Sequence, residues 1–270
     1  MTSAIISAAD ALALQSAGQG IVFLDVRFAP NKPDSRADYQ AQHIAGAHYV
    51  DLGTQLQGQG GGTAGARPLP GVEQLQQDIT RWGINPDSLV IVYSDKTHAA
   101  AARAWFVLEW AGHKHVKFLD GGLNAWIAAG GPTSTETPAD GHGTFEIATT
   151  GHLPTASADE IAGLIAANIP VFDARDPAGY EAGHIPGARS ISSKLVLDET
   201  GHLLPKPAIE ALFAANGAKP GDTVGVYCGG GVAAALESLA LREIGIDARH
   251  FVGSFSAWSA DPARPVAQAK

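Results

Sequence analysis

The chain has 270 residues, more than one small core accommodates and about right for two domains of ordinary size. Hydrophobic residues make up 45% and charged residues 17%, with no apolar run long enough to span a bilayer, which describes a globular protein and excludes a membrane-spanning helix. A formal charge of -9 with no basic block to offset it argues against a phosphate-backbone binder, so nucleic acid is not an expected partner.

The opening MTSAIISAADALALQSAGQG has neither a basic n-region nor an unbroken apolar core; it reads as a first strand and helix, and a cytoplasmic setting is expected. IVFLDV follows, a buried strand closing in Asp25-x-Arg27. After it come His43-Ile44-Ala45-Gly46-Ala47, the glycine-rich loop GQGGGTAGARPLP from Gly58 to Pro70, a helix around Val72 to Trp82, the strand LVIVYS, a helix from Ala99 to Ala111, the strand HVKFLD, and Gly121-Gly122-Leu123-Asn124-Ala125-Trp126. TSTETPADGHGTFEIATTGHLP, rich in Thr, Gly and Pro with FEI as its one strand candidate, reads as a linker.

The markers then return in the same order: Val171-Phe172-Asp173-Ala174-Arg175, His184-Ile185-Pro186-Gly187-Ala188, Val224-Gly225-Val226-Tyr227 and Gly253-Ser254-Phe255-Ser256-Ala257-Trp258. Four markers in one order are an internal repeat. Matched positions lie 148 residues apart at Asp25 and Asp173 but only 132 at Gly121 and Gly253, so the first copy carries the longer loops, Gly58 to Pro70 and FAPNKPDSRADY. The boundaries expected are a first domain at 1–132, a linker at 133–154 and a second domain at 155–270. Alternating β-rich and alanine-rich helical runs predict an α/β domain in each copy, a mainly parallel sheet flanked by helices, with ligands at the carboxyl ends of the strands.

TVGVY ends at Tyr227 and a helix is predicted from Val232 to a stop at Gly245, which puts Cys228, the one cysteine in the chain, in the strand-to-helix turn. A lone cysteine excludes an internal disulfide and dithiol chemistry within one chain. Gly229, Gly230 and Gly231 clear the turn of side chains, and the amides of Gly229, Gly230, Gly231, Val232 and Ala233 can curl into a nest that holds an anion at a helix N-terminus. The same donors and the helix dipole favour a thiolate, making Cys228 a candidate nucleophile. A buried structural cysteine is the plain alternative, and three adjacent glycines weigh against it.

Three chemistries compete for such a turn. Cysteine phosphatases need an arginine six positions on, where this chain has Ala234, and no arginine occurs before Arg242. Gly229, Gly231 and Ala234 also satisfy a dinucleotide fingerprint, but only 42 residues follow Cys228, too few for the rest of such a sheet. Sulfur transfer fits the cysteine count: a thiolate attacks a sulfane sulfur, becomes a persulfide and hands the outer sulfur on, needing neither cofactor nor metal. The histidines, His113-Lys114-His115 included, lack companions at metal-ligand spacing.

Taken together, the His184 to Ala188 box, its echo at His43 to Ala47, the DGGLNAW segment and Cys-x-x-Gly-Val at Cys228 to Val232 resemble the rhodanese-like sulfurtransferases, specifically the two-domain thiosulfate and 3-mercaptopyruvate enzymes, over nearly the whole chain. The resemblance implies an inactive first domain and a catalytic second one. It implies a Cys228 persulfide that carries sulfur from a small-molecule donor to cyanide or a thiol, a thioredoxin-like or other thiol protein among the acceptors. Ser94, followed by Asp95 and Lys96, stands where the second copy has Cys228. Relatives carry Cys-Arg-Lys-Gly or Cys-Gly-Ser-Gly; here Gly230 replaces the serine of the second form, Ala233 a common threonine, and Gly179 an arginine that contacts the donor's acid group. Asp34 and His43 match the aspartate and histidine of the family's proton relay.

The repeat itself supplies the bland readings. Asp25-Arg27 and Asp173-Arg175 recur although one copy has no thiol, which favours structural ion pairs. His43 and His184 recur likewise and are expected to fix turns, and Trp126 and Trp258 to fill cores. Arg67, Lys96, His98 and Lys194 are the cations available to a site, with solvated surface as the default for each. The rival functional class is a non-catalytic or sulfur-relay module that uses the fold to dock a protein.

Overall fold

The computed structural model of the chain describes residues 3–28 and 34–268. Positions 29–33 of FAPNKPDSRADY and both chain ends named in the domain boundaries therefore lie outside the described residues. The chain divides into two compact units, one made of the residues up to Gln57 with Pro70–Leu153 and Thr200–His202, the other of Gly58–Leu69, Pro154–Glu199 and the residues from Leu203 on. Sequence order suggests boundaries at 132 and 154; compactness instead exchanges two loops, and the glycine-rich Gly58–Leu69 belongs to the second unit.

In the first unit the elements run β1 (Ile5–Ile6), α1 (Ala8–Ser16), β2 (Ile21–Arg27), α2 (Arg36–Ala41), β3 (His43–Ile44), β4 (His48–Asp51), α3 (Leu52–Gln55), α4 (Val72–Arg81), β5 (Leu89–Tyr93), α5 (His98–Trp110), β6 (Val116–Leu119), α6 (Gly122–Ala128) and β7 (Thr133–Ser134). Its five-stranded sheet has the order β1-β6-β5-β2-β4 with every pairing parallel. Strands of this kind are covered on both faces, which is why β2 and β5 read as unbroken apolar runs and not as alternating ones. Phe23, Ile91, Leu119 and Trp126 pack in one cluster. The stretch read as a linker is strapped along this unit: β7 pairs antiparallel with β3, the Gly141 amide donates to Arg81, and Phe145 is bonded to Ile84 and Gln76. FEI, the strand candidate there, forms no strand, because its bonds go to a helix and its following turn instead of to a sheet edge.

The second unit comprises α7 (Ala158–Ala166), β8 (Val171–Asp173), α8 (Pro177–Ala182), β9 (Arg189–Ser190), α9 (Lys206–Ala214), β10 (Thr223–Tyr227), α10 (Ala233–Glu243), β11 (Asp247–His250) and α11 (Ser254–Ala260). Four parallel strands in the order β11-β10-β8-β9 form its sheet. A capping box, Ser157 with Glu160, starts α7. Helix α10 is buried from Ala234 to Leu241, as a helix rich in alanine and leucine against a sheet should be. Tyr227, Trp258 and Ile185 share the core cluster, as sequence patterning expects for Trp258. Among the described residues no helix is long and apolar enough to cross a membrane.

Candidate active site

Strand β10 delivers Cys228 to the carboxyl edge of its sheet, where the chain must turn into α10. Gly231 makes that turn with φ at +80°, a conformation that a side chain disfavours. The turn folds back on the sulfur: the Gly231 amide donates to Cys228 Sγ at 3.0 Å. Helix α10 begins at Ala233 with no side-chain cap, so its first amides keep their donor capacity at the thiol's end. Cys228 is 2% exposed. Gly229 is exposed, while Gly230 and Gly231 are buried.

Helix α11 holds the turn from the other side. The Phe255 amide donates to the Cys228 carbonyl at 2.9 Å and the Ser256 amide to the Gly229 carbonyl at 3.1 Å. Ser254 is fully buried with φ at +56°, and its hydroxyl accepts from the Cys228 amide at 3.2 Å, donates to the Phe251 carbonyl at 2.9 Å and stands 3.8 Å from Sγ. A serine in the left-handed region costs of order 1 kcal/mol or more and persists where its surroundings fix it. Sequence reasoning passes over Ser254, because its place in the repeat is filled by Gly122, a residue with no side chain to suggest a role.

Arg175 lies beside the turn. Its guanidinium forks onto Asp173, with Nη2 to Oδ2 at 2.6 Å, donates to the Gly183 carbonyl at 2.6 Å and stacks over Phe255 at 4.2 Å. A Cβ on Gly229 would stand 3.8 Å from Arg175 Cδ, so the aliphatic stem walls the exposed glycine. In the first unit Arg27 makes the matching fork onto Asp25, at 2.8 and 2.9 Å, and donates to the Gln42 carbonyl at 2.6 Å. One arrangement with and without a thiol means the pair fixes the loop after its strand.

Glu237, on α10, has no exposed surface and neither carboxylate oxygen has a hydrogen-bond partner among the described residues. Burial first, and then the nearby Asp173 and Cys228, push its carboxyl well above the usual range. Sequence reading gives no sign of it, since one glutamate in an alanine-rich helix reads as a solvated face.

Asp34 and His43 belong to the first unit. His43 is fully buried, stacked on Tyr39 at 3.8 Å, and its ring nitrogens lie 2.7 and 3.0 Å from the Tyr39 and Glu136 carbonyl oxygens. Asp34 accepts from the Tyr49 hydroxyl and the Arg36 amide; no hydrogen bond joins it to His43 among the described residues. His184 repeats the stack on Tyr180 and the bond to its carbonyl. Of the four cations, Lys194 is exposed and paired with Asp176 at 2.8 Å, and Lys96 is exposed in the first unit. His98 begins α5 and packs near Gly122 and Gly201. Arg67 is half-buried in the second unit, with Nη1 placed 3.2 Å from where a Cβ on Gly230 would stand.

Comparison with known proteins follows the same division. The family description "Rhodanese-like domain" matches residues 7–129 and again 157–261. The chain is 39% identical over 275 residues to a Mycobacterium tuberculosis protein provisionally named thiosulfate sulfurtransferase SseB, covering 97% of this chain and 96% of the relative. It is 36% identical over 281 residues, 99% of each chain, to a Pseudomonas aeruginosa protein provisionally named 3-mercaptopyruvate sulfurtransferase. Among solved structures, SseA from Escherichia coli, described as a 3-mercaptopyruvate enzyme with the rhodanese fold, superposes with a TM-score of 0.83 at 27% identity, covering 94% of this chain and all of that one.

Proposed function

The chain belongs to the rhodanese-like family and is a sulfurtransferase, and from that premise we propose that Cys228 is the sulfur-carrying nucleophile of a catalytic second domain, with thiosulfate or 3-mercaptopyruvate as donor. The observation that carries this reading is the Gly231 amide aimed at the only thiol in the chain from 3.0 Å. A backbone donor in that position stabilises negative charge on Sγ before the reaction and is placed to stabilise a persulfide after it.

With thiosulfate, the Cys228 thiolate attacks the outer sulfur, a sulfur–sulfur bond forms, and sulfite leaves with the electron pair of the bond that breaks. With 3-mercaptopyruvate, the sulfur leaves carbon for Sγ and the thiol proton ends on the methyl carbon of pyruvate. In the second half, cyanide or a thiol attacks the outer sulfur and the Cys228 thiolate departs. The acceptors include small thiols and a thioredoxin-like protein thiol, and a reducing compartment such as the cytoplasm keeps the single cysteine available. The amides of Gly229 to Ala233 serve as the anion cradle, Asp173 and Arg175 as its support. The first domain is non-catalytic, since Ser94 there offers a hydroxyl in place of a thiol.

Incubation of the protein with each donor, followed by intact-mass measurement, tests the assignment. The expected product gains the mass of one sulfur atom, removable by cyanide or dithiothreitol and absent in Cys228→Ser. A wild-type protein that never gains that mass on either donor would overturn it.

A further inference from the structure

The loop Gly58–Leu69 is encoded in the first copy and folds with the second unit. It is closed on itself by Gly58 donating to the Pro68 carbonyl at 3.1 Å and Gly61 to the Gly65 carbonyl at 2.8 Å. Its short 3-10 turn, Gly62–Ala64, packs on α11. At the point of contact Gly65 has φ at +84°, and a Cβ there would stand 2.3 Å from the Gly253 carbonyl oxygen, so the approach of backbone to backbone admits only glycine.

One residue ties this loop to the catalytic turn. The Ser256 hydroxyl accepts from the Ala66 amide at 2.8 Å, while the Ser256 amide donates to the Gly229 carbonyl at 3.1 Å. The residue after Ala66 is Arg67. A Cβ on Gly230 would stand 3.1 Å from the Ala66 methyl and 3.2 Å from Arg67 Nη1. Gly230 is thus without a side chain at the spot where Ala66 and the guanidinium lie against the turn. The turn itself carries no cation from Cys228 to Ala234.

We propose that Arg67, delivered by the Gly58–Leu69 loop over Gly230, is the residue that binds the acidic group of the sulfur donor, the sulfonate of thiosulfate or the carboxylate of 3-mercaptopyruvate. The proposal rests on Cys228 being the sulfur carrier and adds the residue that reads the oxyanion lying close to the transferable sulfur of such donors. A guanidinium fork suits either group, and its charge lies next to the turn where an anionic donor must approach an anionic thiolate. Without such a cation the two negative charges would repel in a partly desolvated site.

The single cysteine gives a readout independent of sulfur transfer. Alkylation of Cys228 by iodoacetate and by the neutral iodoacetamide is followed in wild type, Arg67→Gln and Arg67→Lys. Removing the charge should lower the iodoacetate-to-iodoacetamide rate ratio at least about fivefold, with Arg67→Lys recovering most of it. Raising ionic strength should lower the ratio in wild type and leave Arg67→Gln unmoved. In steady state Arg67→Gln should raise KM for an anionic donor more than it lowers kcat, and the donor with the larger rise is the one whose acid group Arg67 reads. A ratio in Arg67→Gln within about twofold of wild type, with KM unchanged for both donors, overturns the role of Arg67. Failure of wild type to form the persulfide overturns instead the reading on which it rests.

Discussion

Ser94 and Cys228 leave matched strands at matched points, and much around them is duplicated. In each copy the amide three residues on donates to the side chain, Thr97 to Ser94 at 3.3 Å and Gly231 to Cys228 at 3.0 Å. In each, the carbonyl accepts from the helix beyond, Leu123 to Ser94 at 3.0 Å and Phe255 to Cys228 at 2.9 Å. A tyrosine hydroxyl accepts from the isoleucine amide of the histidine box in both, at 3.0 and 3.1 Å. The differences are serine for cysteine, Asp95, Lys96 and Thr97 for Gly229, Gly230 and Gly231, and Gly122 for Ser254, with φ at -104° at Thr97 where Gly231 has +80°. The hydrogen bonds that hold the end of the strand are therefore duplicated, while the backbone of the turn is not. On the proposed function, the chemistry resides in what has been added to one copy and cleared from it.

Exchange of the nucleophile tests that division most severely. Cys228→Ser should abolish transfer while leaving the thermal midpoint within a few degrees of wild type. Adding Ser94→Cys to that variant should restore nothing, because Asp95 and Lys96 fill the turn and the Asp95 carboxylate reaches toward Arg27 at 3.4 Å. Persulfide formation at residue 94 in a mass measurement would show that the thiol alone suffices.

The ion pairs come next. Asp25 and Asp173 are fully buried, and replacing either by Asn removes the main counter-charge of its arginine, at a cost of about 3 kcal/mol, although Arg27 keeps Asp95 at 3.4 Å. Denaturant titration should find comparable losses for Asp25→Asn and Asp173→Asn. A loss confined to the second copy would make Asp173 part of the reaction and not of the scaffold.

Gly122 and Ser254 share one backbone conformation, φ at +57° and +56°, yet a Cβ on Gly122 would lie 2.3 Å from the Ser94 carbonyl oxygen. Gly122→Ser should cost about 2 kcal/mol through strain and overpacking. The reverse exchange, Ser254→Gly, removes a left-handed side chain and the hydroxyl that accepts from the Cys228 amide. It should lower kcat about tenfold with stability nearly unchanged. Equal stability changes at the two positions would mean that the serine is there for packing.

One effect is absent at low pH and builds with it. The Glu237 carboxyl is raised far above its ordinary value of 4.5 by burial, with Asp173 and Cys228 adding to the shift. Its contribution to stability is therefore complete below about 4.5 and is lost as pH rises toward the folded-state value, by up to about 1.4 kcal/mol per pH unit. Glu237→Gln cannot ionise, so its advantage over wild type should be small at pH 4 and grow as the pH rises above that. Parallel stability curves for the two proteins would show that the glutamate has found a partner.

The repeat was legible in the sequence because its markers are residues with fixed duties. Arg27 and Arg175 each fork onto an aspartate two residues back and cap a carbonyl before the histidine box, and such duties leave the same letters in both copies. The place of Cys228 in a strand-to-helix turn is legible through the strand that ends at Tyr227 and the glycines that follow. The attachment of Gly58–Leu69 to the second unit was not, since what fixes it is a left-handed glycine in backbone contact and one amide on Ser256, neither of which leaves a periodic signal. Glu237 and Ser254 escaped for the opposite reason: their meaning depends on depth, and depth is not written in neighbouring letters.

The borrowed loop has a consequence for how this chain can diverge. A duplicate that gives up its nucleophile is ordinarily released from selection on everything but its own folding. On the proposed function, a dozen residues encoded in the copy without the thiol fold with the unit that carries it, so an exhaustive substitution scan of residues 1–132 should find, within a tolerant surface, an island of intolerance at Gly65, where a side chain would break the packing of the loop, and at Arg67, where the phenotype is weakened donor binding and not lost stability.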